Sequence, residues 1–342
     1  MEVQPISKAM LMAAGLGTRL RPFTEVTSKA LMPVMGIPIA QFGISSLIES
    51  GVNTIVANTH HHSVQAGQEL CALEHAGAEI MISDESKQLL GSAGGIRKAL
   101  HHFGESPFFL ANADVLCDVN WNALAAQHRR LRMQSGVQVT LAVFPAGPPG
   151  ENYREIIFDP RSSLIQSLGS PVQGRPFFIG AAVLEPEAFQ LLEEHKPAEF
   201  VPSILEPAIK TGKAGVYVTN GSWYDVGSPA LWLETHLALI RRLERGNFPT
   251  HHSRGWRTRI ERENRRLTEQ VWISHGAATR LSRARWEGPC YWGGKGSEKK
   301  WAPPQSLGPN AILYGNGAGQ PEFRQGIGYA GYWWDLEKKA VI

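Results

Sequence analysis

The sequence predicts an α/β fold: a mixed, mostly parallel twisted sheet with helices on both faces, followed by a smaller β-rich region. Two observations carry this expectation. Short apolar runs at residues 9–14, 53–58, 79–83 and 107–111 alternate with stretches of helical spacing, the pattern of strand–helix–strand units. Beyond residue 245 both periodicities weaken, so the chain is expected to divide into a domain over 1–245 and a region over 246–342.

The first strand stops at Gly15, and Gly15 with Gly17 makes a turn that brings bare N–H groups close to a ligand. Arg19 and Lys29 follow, two cations suited to a polyphosphate. The turn is neither of two better-known phosphate loops. Leu20 stands where the dinucleotide fingerprint needs a third small residue, and the glycine spacing and Lys-Ser/Thr pair of the ATPase loop are absent.

Residues 38–50 carry Ile39, Phe42, Ile44, Leu47 and Ile48 near helical spacing, and Gly51 closes the helix. The strand NTIVAN is followed by His60, His61 and His62, whose side chains diverge on any regular backbone and cannot all meet one metal ion. A helix over 64–75 leads to the strand at 79–83 and then to SDESKQLLGSAGGIRKAL, with a helix expected from about Ile96. The apolar run PFFLA delivers Asn112 and Asp114 to its carboxyl end, where ligands bind in open α/β sheets. A carboxylate so placed is costly without a cation or donors. Asp118, three residues before Trp121, reads more readily as part of a helix cap.

A helix over 121–134, a strand over 137–144 and a small antiparallel excursion over 154–169 come next. A buried strand over 177–184 contains Gly180, a short helix covers 203–210, and WYDVGS places Asp225 ahead of a helix over 229–243. Asp225 reads either as a metal ligand or as the cap of that helix.

The run Ala-Ala-Gly-x-Gly-Thr-Arg-Leu-x-Pro-x-Thr from Ala13, followed by Lys29, resembles the opening of the sugar-phosphate nucleotidyltransferases. VANTHHH, LGSAG, the aspartate at 114 and Trp-x-Asp-x-Gly-Ser resemble that family's later motifs in the same order, over residues 9 to about 240. The resemblance implies a Rossmann-like nucleotidyltransferase fold and a reaction that joins a nucleoside triphosphate to a sugar 1-phosphate. In its terms Ala14, Gly15, Gly17, Thr18, Gly91 and Ser92 bind the nucleotide, and Arg19 and Lys29 are catalytic. Asn112 and Gly180 lie beside the sugar, and Asp114 and Asp225 hold Mg2+. Ser28 replaces the proline usual before the lysine, and Ala113 the glycine before the aspartate. The family's Glu-Lys-Pro lysine is missing, so Arg154 and Arg175 become candidates for the sugar-phosphate cation. Glu85, an acceptor-only side chain, suits the N1–H and amine of guanine, which favours GTP and with it mannose 1-phosphate. The alternatives are a non-catalytic regulatory subunit that binds nucleotide sugar, and a uridylyltransferase acting on N-acetylmuramate 1-phosphate.

With 43% hydrophobic and 19% charged residues the composition is that of a water-soluble chain, and no apolar run approaches the roughly 20 residues of a membrane helix. Three cysteines are too few for a disulfide framework, and MEVQPISKAM has no secretory pattern, so a cytoplasmic location without membrane contact is expected. Residues 246–342 are basic, with 15 Lys/Arg against 8 Asp/Glu, but Glu261 and Glu263 interrupt the arginine run and argue against nucleic acid. The same region holds seven of the ten tryptophans. VWISHGA, GPCYWGG and SLGPNAILYG resemble degenerate turns of the left-handed β-helix appended to many guanylyltransferases, and a homo-oligomer through this region is expected.

Overall fold

The computed structural model describes residues 5–146, 152–248 and 250–268, the strand segments 271–274, 285–286, 290–293, 306–307, 311–314 and 326–329, and residues 332–341. The chain folds as two compact units, Met1–Gly15 with Ala40–Trp223, and Leu16–Ile39 with Tyr224–Ile342.

The first unit is built on a nine-stranded sheet. Strands β1 (Lys8–Met12), β2 (Thr54–Thr59), β3 (Glu79–Asp84) and β4 (Phe108–Asn112) run parallel in the order β3-β2-β1-β4. The chain reverses its direction of winding beside β1, which opens a crevice at the carboxyl ends of the strands. The sheet continues through β5 (Val139–Phe144), β6 (Tyr153–Phe158), β7 (Ile165–Val172), β8 (Phe177–Leu184) and β9 (Ala214–Val218). Strand β8 lies antiparallel between β4 and β5, β9 lies parallel beside β5, and β6 and β7 form the expected antiparallel excursion.

The helices are α1 (Ile39–Glu49), α2 (Ser63–Cys71), α3 (Gly91–Ala99), α4 (Trp121–Ser135) and α5 (Glu206–Lys210). They cover both faces because side chains alternate along each strand. Phe108 and Leu110 of β4 face a core shared with Ile96 and Ala99 of α3. Phe109 faces the other way and meets the edge of Trp121 of α4, ring centroids 5.1 Å apart. The Trp121 Nε1–H in turn donates to the Ser46 hydroxyl of α1 at 3.1 Å.

Several boundaries differ from expectation for identifiable reasons. Helix α4 is capped by Asn120, whose side chain accepts from the Ala123 N–H at 2.9 Å, while Asp118 is buried and donates its own N–H to the Ser222 carbonyl. Helix α3 begins at Gly91 rather than Ile96, because the Ala198 carbonyl accepts from Ala93 and Gly94 and satisfies N–H groups that a glycine-rich first turn leaves open. The helix expected over 203–210 is a wide turn at Val201–Leu205 that passes into α5.

In the second unit α6 (Pro229–Arg245) is capped by Ser228, whose hydroxyl accepts from the Leu231 N–H at 3.3 Å. Proline at the first helical position and Gly246 just past the end complete a well-signalled helix. Helix α7 (His251–Glu263) precedes seven strands, β10 (Asn264–Thr268), β11 (Val271–Ser274), β12 (Cys290–Gly293), β13 (Ala311–Tyr314), β14 (Gly326–Tyr329), β15 (Tyr332–Asp335) and β16 (Ala340–Val341). Strands β11 to β14 are all parallel and stack Trp272, Tyr291, Ile312 and Ile327 in one row. A second parallel pair joins Arg285–Trp286 to Ser306–Leu307, between the strands β11, β12 and β13 in the chain, so there the pairing runs along a second line, as in stacked repeats. Trp256, Trp272, Trp333 and Trp334 are buried; Trp301 lies outside the described residues.

The segment 16–39 packs within this second unit. The Trp232 Nε1–H of α6 donates to the Pro33 carbonyl at 2.8 Å, and its ring meets Phe23 edge-on at 5.4 Å. Asn264 donates to the Met35 carbonyl at 2.8 Å. Long-range contacts, and not neighbourhood in sequence, decide where this loop belongs.

Candidate active site

In the first unit the carboxyl ends of the strands form a row. Met12 pairs with Asn58 on one side and Asn112 on the other, and Asn58 pairs with Ser83. Next to Asn112 on β8 stands Gly180, at φ +83°. A Cβ at Gly180 would lie 2.9 Å from both Cβ and Nδ2 of Asn112, so the glycine makes room for that side chain.

Above the row lies a cavity of about 520 Å³, within the size range of small-molecule sites. Ala14, Gly15, Gly91, Ser92, Asn112 and Asp114 line it, so the structure brings together six of the residues expected around nucleotide, sugar and metal. Among its described lining residues Asp114 is the one carboxylate and Arg154 the one cation. The far wall is apolar and aromatic, formed by Tyr153, Ile156, Leu168, Phe177, Phe178 and Phe200. Of the two arginine candidates, Arg154 lines the cavity, 3.6 Å from the Glu206 carboxylate. Arg175 is 65% exposed beside Glu155 and is not among the lining residues.

The glycines of the second motif are explained by protein contacts. A Cβ at Gly91 would stand 2.7 Å from Glu199 Oε1 and 2.8 Å from the Ala198 carbonyl, and one at Gly94 2.6 Å from the Lys196 carbonyl. Ser92 donates its hydroxyl to Glu199 at 2.7 Å and accepts the Phe200 N–H at 2.7 Å. The segment 196–200 therefore seats closely on the first turn of α3, which only small residues permit.

Glu85 stands apart from the open cavity. It is 2% exposed, one oxygen accepts from Asn58 Nδ2 at 2.7 Å, and the other accepts from the Leu90 N–H at 3.0 Å. Its carboxylate is turned into the protein, where it ties β2 to the start of α3. Asp84 beside it is held by the Ser63 hydroxyl and the Ser86 N–H, which lower its carboxyl below the usual range. His60 gives Nδ1 to the Glu85 carbonyl at 2.7 Å, and no group of three or more metal-ligating side chains occurs among the described residues.

Gly17, Thr18, Arg19, Lys29 and Asp225 belong to the second unit. Gly17 has φ +61°, a Cβ there would lie 2.7 Å from the Thr24 methyl and 3.3 Å from Lys29 Cβ, and the Thr24 hydroxyl donates to the Gly17 carbonyl at 2.9 Å. Thr24 thus clasps the turn, and Thr18 and Arg19 are exposed on it. Arg19 and Asp225 share one neighbour: a Cβ at Gly227 would stand 2.7 Å from the Arg19 guanidinium and 2.8 Å from the Asp225 carboxylate. Because Ser228 caps α6, the cap reading of Asp225 is taken by another residue.

The sequence pattern of the family described as nucleotidyl transferase matches residues 8–242. The chain belongs to the nucleotidyl transferase family. It is 30% identical over 222 residues to the N-acetylmuramate alpha-1-phosphate uridylyltransferase of Neisseria meningitidis serogroup B, covering 65% of this chain and 93% of that one. It is 28% identical over 247 residues to the mannose-1-phosphate guanyltransferase of Aspergillus oryzae, covering 70% of this chain and 66% of that one. Among solved structures it is similar to HddC from Yersinia pseudotuberculosis complexed with GMP-PN, with TM-score 0.57, 18% identity and coverage of 68% of this chain and all of that one. The last likeness concerns the fold. The opening motif thus places this nucleotidyl transferase where its residues suggested, among the sugar-phosphate nucleotidyltransferases. Among the described residues no helix is long and apolar enough to cross a membrane.

Proposed function

We propose that this nucleotidyl transferase joins a nucleoside triphosphate to a sugar 1-phosphate in the cavity of the first unit. The observation that carries the reading is the gathering of Ala14, Gly15, Asn112, Asp114 and Arg154 around one crevice at the carboxyl edge of the sheet. A phosphate oxygen of the sugar phosphate attacks the α-phosphorus, the bond to the bridging oxygen of the β-phosphate breaks, and pyrophosphate leaves. The nucleophile is already an anion, so no general base is needed. The work left to the protein is alignment and charge neutralisation. Backbone N–H groups near Gly15 hold the triphosphate in this cavity, and the family motif gives Gly17, Arg19 and Lys29 the task of binding phosphate. Arg154 meets an anionic group of the sugar substrate.

The residues fit a magnesium ion. Mg2+ favours one or two carboxylates completed by phosphate oxygens, and Asp114 is a half-buried carboxylate in the cavity. Asp114 is the proposed ligand, and the motif extends the same role to Asp225. When bound, the metal neutralises phosphate charge.

For the substrates, the inward-turned Glu85 withdraws the residue on which guanine recognition rested. A wall of Tyr153, Ile156, Leu168 and Phe178 with one guanidinium suits a sugar that carries apolar and anionic substituents better than plain mannose. The uridylyltransferase relative is matched over nearly its full length. We therefore favour UTP with N-acetylmuramate 1-phosphate over GTP with mannose 1-phosphate. The test is pyrophosphate release from four triphosphates, each paired with N-acetylmuramate, mannose and glucose 1-phosphates. The uridine–muramate pair is expected to be fastest. Dominance of the guanosine–mannose pair would return the reading to a guanylyltransferase, and silence of every pair would leave a nucleotide-sugar-binding subunit.

A further inference from the structure

We propose that Asn58 and Glu85 form a polarity relay that positions the nucleotide-binding backbone; the inference rests on the proposed transferase reading and names two positioning residues for it. Both side chains are almost fully buried, at 1% and 2% exposure. The Ala13 N–H, just past the end of β1, donates to Asn58 Oδ1 at 2.8 Å. Asn58 Nδ2 donates to Glu85 Oε1 at 2.7 Å, and the Leu90 N–H donates to Glu85 Oε2 at 3.0 Å. Four consecutive polar groups thus join the residue before Ala14 and Gly15 to the residue before Gly91 and Ser92. Those four residues line the cavity on its two nucleotide sides, and Asn58 lines it too.

The chain of bonds has one permitted direction. Both ends are backbone N–H groups, which can only donate. Asn58 must therefore turn its oxygen to Ala13 and its amine to position 85. Position 85 must then accept on each of its two terminal atoms, which a carboxylate does and an amide, with a donor NH2 at one of them, does not. Gly95 is fitted to the pair: a Cβ there would stand 2.5 Å from Glu85 Oε1 and 2.8 Å from Asn58 Nδ2. The nearby first turn of α3 offers a further favourable field to a negative charge. Nothing about this arrangement requires Glu85 to touch a base.

The polarity can be exchanged without changing shape. In Glu85→Gln the new amide must present a donor either to Asn58 Nδ2 or to the Leu90 N–H, and one bond becomes a donor–donor clash. In Asn58→Asp two carboxylates face each other in a buried site. In the double variant N58D/E85Q the aspartate accepts from Ala13 and from the new amide, whose oxygen accepts from Leu90, and every bond returns.

The test measures steady-state kinetics and thermal melting of the full chain for wild type, E85Q, N58D and the double variant. Each single variant is expected to raise the KM for the triphosphate by about ten- to a hundredfold, more than the KM for the sugar phosphate. The double variant is expected to return within about threefold of wild type. Single variants too unstable to assay still support the relay when the double variant folds and turns over. Unchanged triphosphate KM in the single variants, or a double variant as impaired as the two losses combined, overturns it. If wild type releases no pyrophosphate with any substrate pair, the transferase reading has failed. The relay is then judged on melting alone, rescue supporting it and additive loss overturning it.

Discussion

Asn112 and Gly180 confront each other across β4 and β8, with no room for a methyl group between them: a Cβ on Gly180 would sit 2.9 Å from two atoms of Asn112. The glycine also holds φ +83°, a conformation costly for any L side chain. Gly180→Ala is therefore expected to lower stability by about 1–3 kcal/mol and to displace Asn112 from the cavity. The check is a denaturant melt with the KM for sugar phosphate, which should rise more than that for the triphosphate.

Asp114 carries the metal proposal in the first unit. Asp114→Asn keeps the shape of the side chain and removes its charge, so turnover at saturating Mg2+ should fall by about 10²- to 10³-fold. Melting should stay within a few degrees of wild type. Chelation should stop the wild-type enzyme; an Asp114→Asn protein turning over at the native rate would refute the assignment.

The cavity separates two arginines that look alike in sequence. Removing a charge-assisted contact costs about 1.5–3 kcal/mol, so Arg154→Ala should raise the KM for sugar phosphate by roughly ten- to a hundredfold. Arg175→Ala, at an exposed position beside Glu155, should behave as wild type. Equal effects at the two positions would remove Arg154 from the sugar site.

Arg19→Ala and Lys29→Ala test the cationic turn. Each is expected to cost about 2–4 kcal/mol in kcat/KM, in line with loss of a preorganised donor to developing charge. Circular dichroism of both proteins should match wild type.

His236 gives a pH signature to the second unit. Its imidazole is fully buried, burial pushes its pKa down to about 4, and its Nδ1 is bonded to the Trp232 carbonyl at 2.8 Å. Unfolded, the same group titrates near its ordinary value of 6.5. The unfolded chain therefore binds a proton that the folded one refuses, and stability is lost as pH falls from 6.5 toward 4. The loss attributable to His236 is on the order of 3 kcal/mol. Urea melts from pH 7 to 4 should show a shallower decline in His236→Gln than in wild type.

Much is legible in the sequence alone. The alternation of apolar runs and helical spacing predicted β1 to β4, and α1 and α2, to within a few residues, because strand and helix periodicities are local properties of the chain; the start of α3 was missed by five. The opening glycine turn with Arg19 and Lys29, and a carboxylate at the end of β4, pointed to phosphate chemistry by residue type and spacing alone.

Other assignments depended on partners far away in the chain. Glu85 looked like a base reader until Asn58, 27 residues earlier, was found on its oxygen. The small residues at 91–95 show nothing in the sequence of Glu199, 107 residues beyond Ser92, whose carboxylate accepts from that serine. The segment 16–39 follows β1 directly in the chain, yet Trp232 holds Pro33 from 199 residues away. Arg154 and Arg175 are equivalent as letters, and only the fold shows that Arg154 borders the cavity and Arg175 does not. Periodicity reports which face of an element is apolar, so it predicts elements well. It carries no information about which distant acceptor a given donor will find, and on this protein that pairing alone separated the residues that hold the site together from those that line it.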